Sequence, residues 1–449
     1  MLTYQLKKGP GMPLYESLYR LLREDIRTGK LSPGEKLPSK RALAQHLEVS
    51  VITVEAAYEE LLSEGYIRSR EKVGYFVEEY RRLPPAPPPQ APAPAASPAG
   101  KVEGFPFSVW SRLQREVVLD HGEKLLLPLP NKGVPELRTA IAEHLASFRG
   151  MTVNPENILI GAGTDFLYNL LIQLLGRDGI YAVEDPGYGK IRSIYAAGGV
   201  TCLPAPMDEF GVRPDALGDA RVLHISPSHH YPTGLVTPPA RRRELLHWSE
   251  RRQGYIIEDD YDSEFRFHAH PMSAMQTSNP ERVIYLNSFS KSLAPSIRIS
   301  YMVLPTALME KFQRELGFYS CTVPSFEQYT LARFLSQGHF EKHINRMRKF
   351  YRSRRKKVVS KIKASPMAER LTILELDAGL HFLLQVDTSL PDSAFREAGI
   401  PFPTLGSFYA DKRENLHTLV VSYAGLKDET LEAALNTLYQ LTANKERER

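Results

Sequence analysis

The chain has 449 residues, 42% hydrophobic and 24% charged, with a formal net charge of +5. That is globular composition with material for about three domains, and it excludes a disordered chain; no run of about 18 apolar residues offers a membrane span. Two cysteines, Cys202 and Cys321, give no disulfide framework and point to a reducing, cytoplasmic setting.

Residues 13–28 place Leu14, Leu18, Leu21, Leu22 and Ile26 at helical spacing behind Pro13, and Gly29 stops the helix. Ser39 is a good N-cap for a short helix turning Leu43, Ala44 and Leu47 inward. Ser50 can cap another, whose stripe is Val54, Ala57, Tyr58 and Leu61. So tight a connection suggests a helix-turn-helix with the second helix as reader; a small helical subdomain that touches no DNA is the alternative. YIRSREKVGYFVEEY then reads as a hairpin wing turning at Lys72 to Gly74. Charge nearly balances over this stretch, so binding would rest on local placement. The candidates are Ser39, Lys40 and Arg41 at one helix start, Ser50 and Thr53 at the next, and Arg68, Arg70 and Lys72 on the wing. Residues 1–80 form this domain.

The stretch from 81 to 104, rich in proline and alanine, has nothing to bury and reads as a semi-rigid spacer, with a proline-motif docking segment as the other reading. From 105 to 449 short apolar strands alternate with amphipathic helices, which argues for an α/β domain with a mainly parallel sheet. Polar residues gather in the loops after the strands, where such sheets bind ligands. Gly163, Thr164 and Asp165 form a glycine turn opening a helix, with backbone N–H groups that could cradle a phosphate. Tyr188 follows EDPG, and His229, His230 and Tyr231 sit in PSHHYPTG. Adjacent histidines rarely share one ion and no third ligand is suitably spaced, so no metal site is expected. IIEDDYDSEF supplies Asp259 and Tyr261, and SFSKSLAPSIR supplies Ser288, Ser290, Lys291 and Arg298. A lone loop lysine is usually surface charge. Here an imine-forming lysine, an acid for a ring nitrogen, and an arginine with hydroxyls for a phosphate occur together, and these are what pyridoxal phosphate needs.

Two resemblances sharpen the reading. The strings G-LSPGEKLPSKRALAQHLEVS, TVEAAYEELLSEGYI and GYFV resemble the winged DNA-binding domain of the GntR superfamily, with Val51 where that family usually carries arginine. The motifs from Phe105 to Thr442 resemble fold-type I, pyridoxal-phosphate-dependent aminotransferases. That resemblance implies Lys291 as Schiff-base lysine, Asp259 as partner of the pyridine nitrogen, and Tyr261 as hydrogen-bond partner of the ring oxygen. It further implies Tyr188 as stacking ring, and Ser288, Ser290, Arg298 and the 163–165 turn as phosphate ligands. Asp260 and Asp262 are left as structural neighbours. The basic run from Lys342 to Lys363 reads as a solvated helix into a small α+β subdomain, about 345–449.

The fusion resembles MocR-type transcriptional regulators. It implies double-stranded operator DNA, a small amine or amino-acid effector or the cofactor itself, and a homodimer in which the reader domain can swap onto the partner. Departures bear on catalysis: Val420 stands where aminotransferases place a carboxylate-binding arginine, and Tyr231 where they often carry asparagine. The tyrosine often found before the loop near 126–133 has no counterpart in LLLPLPNKG, and Arg413 has no evident place. The expectation is a regulator with at most residual transaminase chemistry; an aminotransferase whose first domain only autoregulates its expression is the alternative.

Overall fold

The computed structural model describes residues 2–4, 6, 13–79, 104–265, 273–374 and 379–447. The spacer lies outside these residues except for Gly104, as do Tyr80 of the wing, Arg266 and Phe267 of the acidic motif, and 375–378. Two compact units divide the chain, Met1–Ala96 and Ser97–Arg449.

In the first unit, helices α1 (Leu14–Thr28), α2 (Lys40–His46) and α3 (Val51–Ser63) lead into antiparallel strands β1 (Ile67–Arg70) and β2 (Gly74–Val77). Ser39 Oγ accepts from Ala42 N and Ser50 Oγ from Thr53 N, so both helix starts are capped as their sequence predicts. Gly29, at φ 81°, ends α1 in the left-handed conformation a side chain would resist. Leu18, Leu22, Leu43, Val54, Tyr58 and Leu61 are buried in one cluster. Each such side chain contributes roughly 1.5–3 kcal/mol.

In the second unit, α4 (Phe107–His121) and α5 (Pro135–Arg149) precede a run of alternating elements. These are β3 (Ile158–Gly161), α6 (Thr164–Leu175), β4 (Ile180–Asp185), α7 (Gly189–Ala197), β5 (Thr201–Asp208), β6 (Gly211–Val212), β7 (Ala220–Ile225) and α8 (Pro239–Arg252). Then come β8 (Tyr255–Asp259), α9 (Met275–Ser278), β9 (Val283–Ser288), the one-turn α10 (Phe289–Ser292), β10 (Ser300–Val303), α11 (Thr306–Glu315), α12 (Ser325–Ser336) and α13 (His339–Lys363). The sheet order is β3-β10-β9-β8-β7-β4-β5-β6. Strands β5, β4, β7, β8 and β9 run parallel, while β10 lies antiparallel between β9 and β3. The carboxyl ends of β3, β4, β7, β8 and β9 therefore share one edge. Strands β3, β7, β8, β9 and β10 are short, almost wholly buried runs because helices cover both faces, whereas β5 towards the sheet edge is mostly half-buried or exposed.

The chain closes with β11 (Leu371–Leu374), β12 (His381–Val386), α14 (Asp392–Glu397), β13 (Thr418–Ser422) and α15 (Asp428–Arg447), the three strands forming an antiparallel sheet. Helix α13 is 25 residues long. Its Phe340, Ile344 and Met347 belong to the large-domain core, and its Val358 and Ile362 to the core of this small subdomain. The basic run is thus one amphipathic helix serving two cores, with most of its charges outward and Arg355 buried.

Candidate functional site

The shared strand edge gathers the polar loops. Asp259 ends β8, and its Oδ2 accepts from Tyr168 Oη at 2.5 Å and lies 3.4 Å from His224 Nε2. His224 Nδ1 in turn faces Tyr195 Oη at 2.7 Å. With Nε2–H donating to the carboxylate, the Tyr195 hydroxyl donates to Nδ1. Burial, followed by the Asp259 charge, holds the Tyr168 phenol well above its ordinary range, so it stays a donor. Asp259 Oδ1 is buried without a hydrogen-bond partner. A buried carboxylate oxygen left vacant is costly in an isolated chain and apt for a protonated ring nitrogen. Tyr168, Tyr195 and His224 lie outside the sequence-derived set, because nothing in their local spacing marks them; strand order brings them together.

Lys291 stands exposed on α10. The turn is fixed by Ser288, whose Oγ accepts from Ser290 N at 3.1 Å and bonds Ser300 Oγ at 2.9 Å. Ser288 is therefore committed to capping, while Ser290 is half-buried beside the lysine. Gly163, at φ 88°, lies so near Arg298 that a Cβ there would meet Nη2 at 2.6 Å. One correction concerns this turn: the Gly163 N–H is not free, since it donates to Gly161 O at 2.9 Å. The tight turn consumes it, which leaves the N–H groups of Thr164 and Asp165, at the start of α6, to meet an anion. The Asp165 carboxylate is flanked by Lys190 at 2.6 Å and Arg298 at 3.6 Å. Two cations against one carboxylate suit a phosphate dianion.

Tyr261 Oη lies 3.4 Å from His229 Nδ1, which lies 2.9 Å from Asp262 Oδ2. Burial, then the Asp262 and Asp259 charges, push the Tyr261 phenol well above its usual range. His230 faces Thr233 instead, at 2.7 Å, so the adjacent histidines diverge. Among the described residues no group of three or more potential ligands is placed to hold a metal ion. Burial lowers His230 and His381 to about 3, so both are neutral. Tyr188 is half-exposed and sits edge-on to Tyr231, ring centroids 6.0 Å apart. Asp260 pairs with Arg149 at 3.1 Å, both side chains 1% exposed, and accepts from Tyr285 Oη at 2.6 Å. It braces the end of β8 from behind.

Val420 is buried on β13 opposite Leu383. It points away from the face whose Leu419 and Val421 enter the small-subdomain core. Arg413 pairs with Asp411 at 3.4 Å and stacks over the Tyr409 ring.

On the N-terminal unit the caps Ser39 and Ser50 spend their hydroxyls on the backbone, and Thr53 Oγ1 lies 2.8 Å from Ser50 Oγ. Lys40 pairs with Glu55 at 2.5 Å, tying α2 to α3. Arg68 pairs with Glu78 and Arg70 lies over Phe76. Arg41 is exposed, and Lys72, at φ 60°, marks the wing turn.

These two units define a winged helix-turn-helix joined to a fold-type I aminotransferase fold. Residues 14–77 match the family of bacterial regulatory proteins called gntR, and residues 99–438 match aminotransferase class I and II. The chain is 38% identical over 401 residues to the uncharacterized HTH-type transcriptional regulator YdeL of Bacillus subtilis strain 168, covering 86% of each. It is 32% identical over 472 residues to the probable rhizopine catabolism regulatory protein MocR of Rhizobium meliloti, covering 96% of this chain and 94% of that one. It is 31% identical to the pyridoxine biosynthesis regulator PdxR of Corynebacterium glutamicum, covering 82% of each. Among solved structures, an archaeal alanine:glyoxylate aminotransferase superposes with TM-score 0.67 at 21% identity, covering 76% of this chain and 88% of that one. The chain belongs to the MocR-type family of HTH transcriptional regulators that carry an aminotransferase class I and II domain. Pyridoxal phosphate is the cofactor this domain type takes, and the vacant Asp259 oxygen and the glycine-lined cradle beside Arg298 fit it. No helix among the described residues is long and apolar enough to cross a membrane.

Proposed function

We propose that this protein is a cytoplasmic, operator-binding transcriptional regulator whose second unit holds pyridoxal phosphate on Lys291 and answers to the cofactor itself or to a small amine or amino acid. When bound, the cofactor supplies an electrophilic carbon that an amine can add to. Lys291 anchors it, Asp259 holds the ring nitrogen's proton with Tyr168 and His224 fixing the carboxylate, and Tyr261 donates to the ring oxygen. Tyr188 covers the ring. Ser290, Arg298, Lys190 and the N–H groups of Thr164 and Asp165 take the phosphate, with Ser288 and Gly163 shaping the turns that present them. In the first unit Arg41, Thr53, Arg70 and Lys72 face the duplex, and Ser39, Lys40, Ser50 and Arg68 set their positions.

What favours a regulator over a turnover enzyme is Val420, 2% exposed, where the resemblance to aminotransferases implies a carboxylate-binding arginine. Valine offers no bidentate partner. Exposed Leu119, Leu126, Leu127 and Phe318 on the second unit support a homodimer, whose partner would cover them. The spacer's length permits a reader domain swapped onto that partner.

The test uses purified full-length protein. Bound cofactor gives a visible absorbance that borohydride reduces and Lys291→Ala lacks. A duplex from the protein's own upstream region is then titrated with and without cofactor and with a panel of small amines. Affinity that responds to neither, or rapid multiple turnover of an amino acid with a keto acid, would overturn the reading.

A further inference from the structure

The first turn of α3 carries an anomaly. Among the described residues of the N-terminal unit, the large hydrophobics in open solvent are Val51, 42% exposed, Ile52, 75% exposed, and Val73 at the wing tip. The buried stripe of α3 begins only at Val54. Val51 and Ile52 follow directly on the Ser50 cap, project outward, and contribute nothing to the core. β-Branched residues are also indifferent helix formers, so helix propensity does not account for them.

Resting on the operator-binding reading above, we infer that Val51 and Ile52 are specificity determinants that read thymine C5-methyl groups in the major groove. The groove floor presents hydrogen-bond acceptors at guanine and an apolar methyl at thymine. An arginine there would satisfy guanine O6 and N7; valine and isoleucine would strand both and find apolar surface only at thymine. Charge sets the depth of entry. Glu59 and Glu60 stand exposed further along α3, and about seven residues at ~1.5 Å each put Glu59 roughly 10 Å from Ile52. Laying the whole helix in the groove would press these carboxylates on phosphates, whereas end-on entry brings only Val51, Ile52 and Thr53 to the bases. Glu55 is already neutralised by Lys40, and exposed Arg41 remains for the backbone. The partner is therefore duplex DNA with thymine at the half-site positions facing the start of α3.

The cofactor-loaded full-length protein is used to select from a library of duplexes with a randomised centre. The retained duplexes are remade with single thymine-to-deoxyuridine replacements, which delete one methyl and leave the protein untouched, so folding is not at issue. One or two positions per half-site should lose about fourfold in affinity, the value of a buried methyl of roughly 0.8 kcal/mol. Val51→Arg should move the preference at one of those positions towards guanine. Retained duplexes that tolerate every deoxyuridine, or a Val51→Arg protein that binds with unchanged preference, overturn the inference while operator binding stands. Failure to enrich any duplex over the unselected library overturns both.

Discussion

Replacing Asp260 by alanine tests whether the second unit is braced from behind the cofactor pocket. The mutation leaves the Arg149 guanidinium, 1% exposed, without its carboxylate and removes the acceptor of the Tyr285 hydroxyl. Breaking one side of a buried pair costs about 3–5 kcal/mol, because the remaining charge is uncompensated rather than because the pair was worth that much. Glu258 and Glu264 also face Arg149, and with the Asp260 charge gone each gives up its proton more readily, which offsets part of the loss, so the lower end is expected. For a unit spanning Ser97–Arg449, an unfolding entropy of about 2.1 cal/mol/K per residue totals roughly 0.7 kcal/mol/K. A loss near 3 kcal/mol then lowers Tm by about 4 °C. Differential scanning calorimetry of the cofactor-free protein measures it, with cofactor absent so that the neighbouring Asp259 contributes nothing through binding. A Tm within about 1 °C of the parent would refute the argument that Arg149 depends on Asp260.

Three further outcomes follow from the same geometry. Gly163→Ala places a Cβ against Arg298 at positive φ, so the empty turn should relax to a less strained shape; restoring the native turn on binding costs about 1 kcal/mol or more and should weaken cofactor binding at least fivefold by absorbance titration, with Tm of the cofactor-free protein nearly unchanged. Ser50→Ala removes the cap of the reading helix and should cost the N-terminal unit about 1 kcal/mol in urea unfolding, with the second unit's transition unmoved. Burial raises Glu184 and Glu264 to about 8 from an ordinary carboxyl value near 4.5, so each keeps its proton when folded and gives it up when unfolded. Stability of the second unit should therefore fall as pH rises from about 7 to 8, above the range in which buried His230 and His381, neutral when folded, act in the opposite sense, and Glu264→Gln should flatten that fall; a stability that rises between about pH 7 and 8 would show both carboxyls to be ionised.

Much of this site was legible because its parts are local. Glycine turns, helix caps and the lysine turn are set by neighbours within a few residues, so Ser39, Ser50, Gly163 and Lys291 announce themselves in order along the chain. What escaped the sequence depends on strand order. Tyr168 and His224 reach Asp259 from α6 and β7, and Lys190 reaches Asp165 from the start of α7, contacts that no periodicity encodes. The same holds for committed donors: that Gly163 N–H and Ser288 Oγ are spent internally follows from turn geometry that composition does not reveal. Asp260 reads as a spare carboxylate until the fold brings Arg149, from the far end of α5, against it.

The shared helix α13 makes the large and small cores mechanically inseparable. At about 1.5 Å per residue its 25 residues form a rod of roughly 37 Å, anchored by Phe340 and Ile344 at one end and by Val358 and Ile362 at the other. Fraying either anchored end frees side chains that the other core needs held in register, so neither core has an independent melting transition to offer. A signal that loosened the small subdomain would be felt across the large one as a loss of cooperative stability, without any relay of individual contacts.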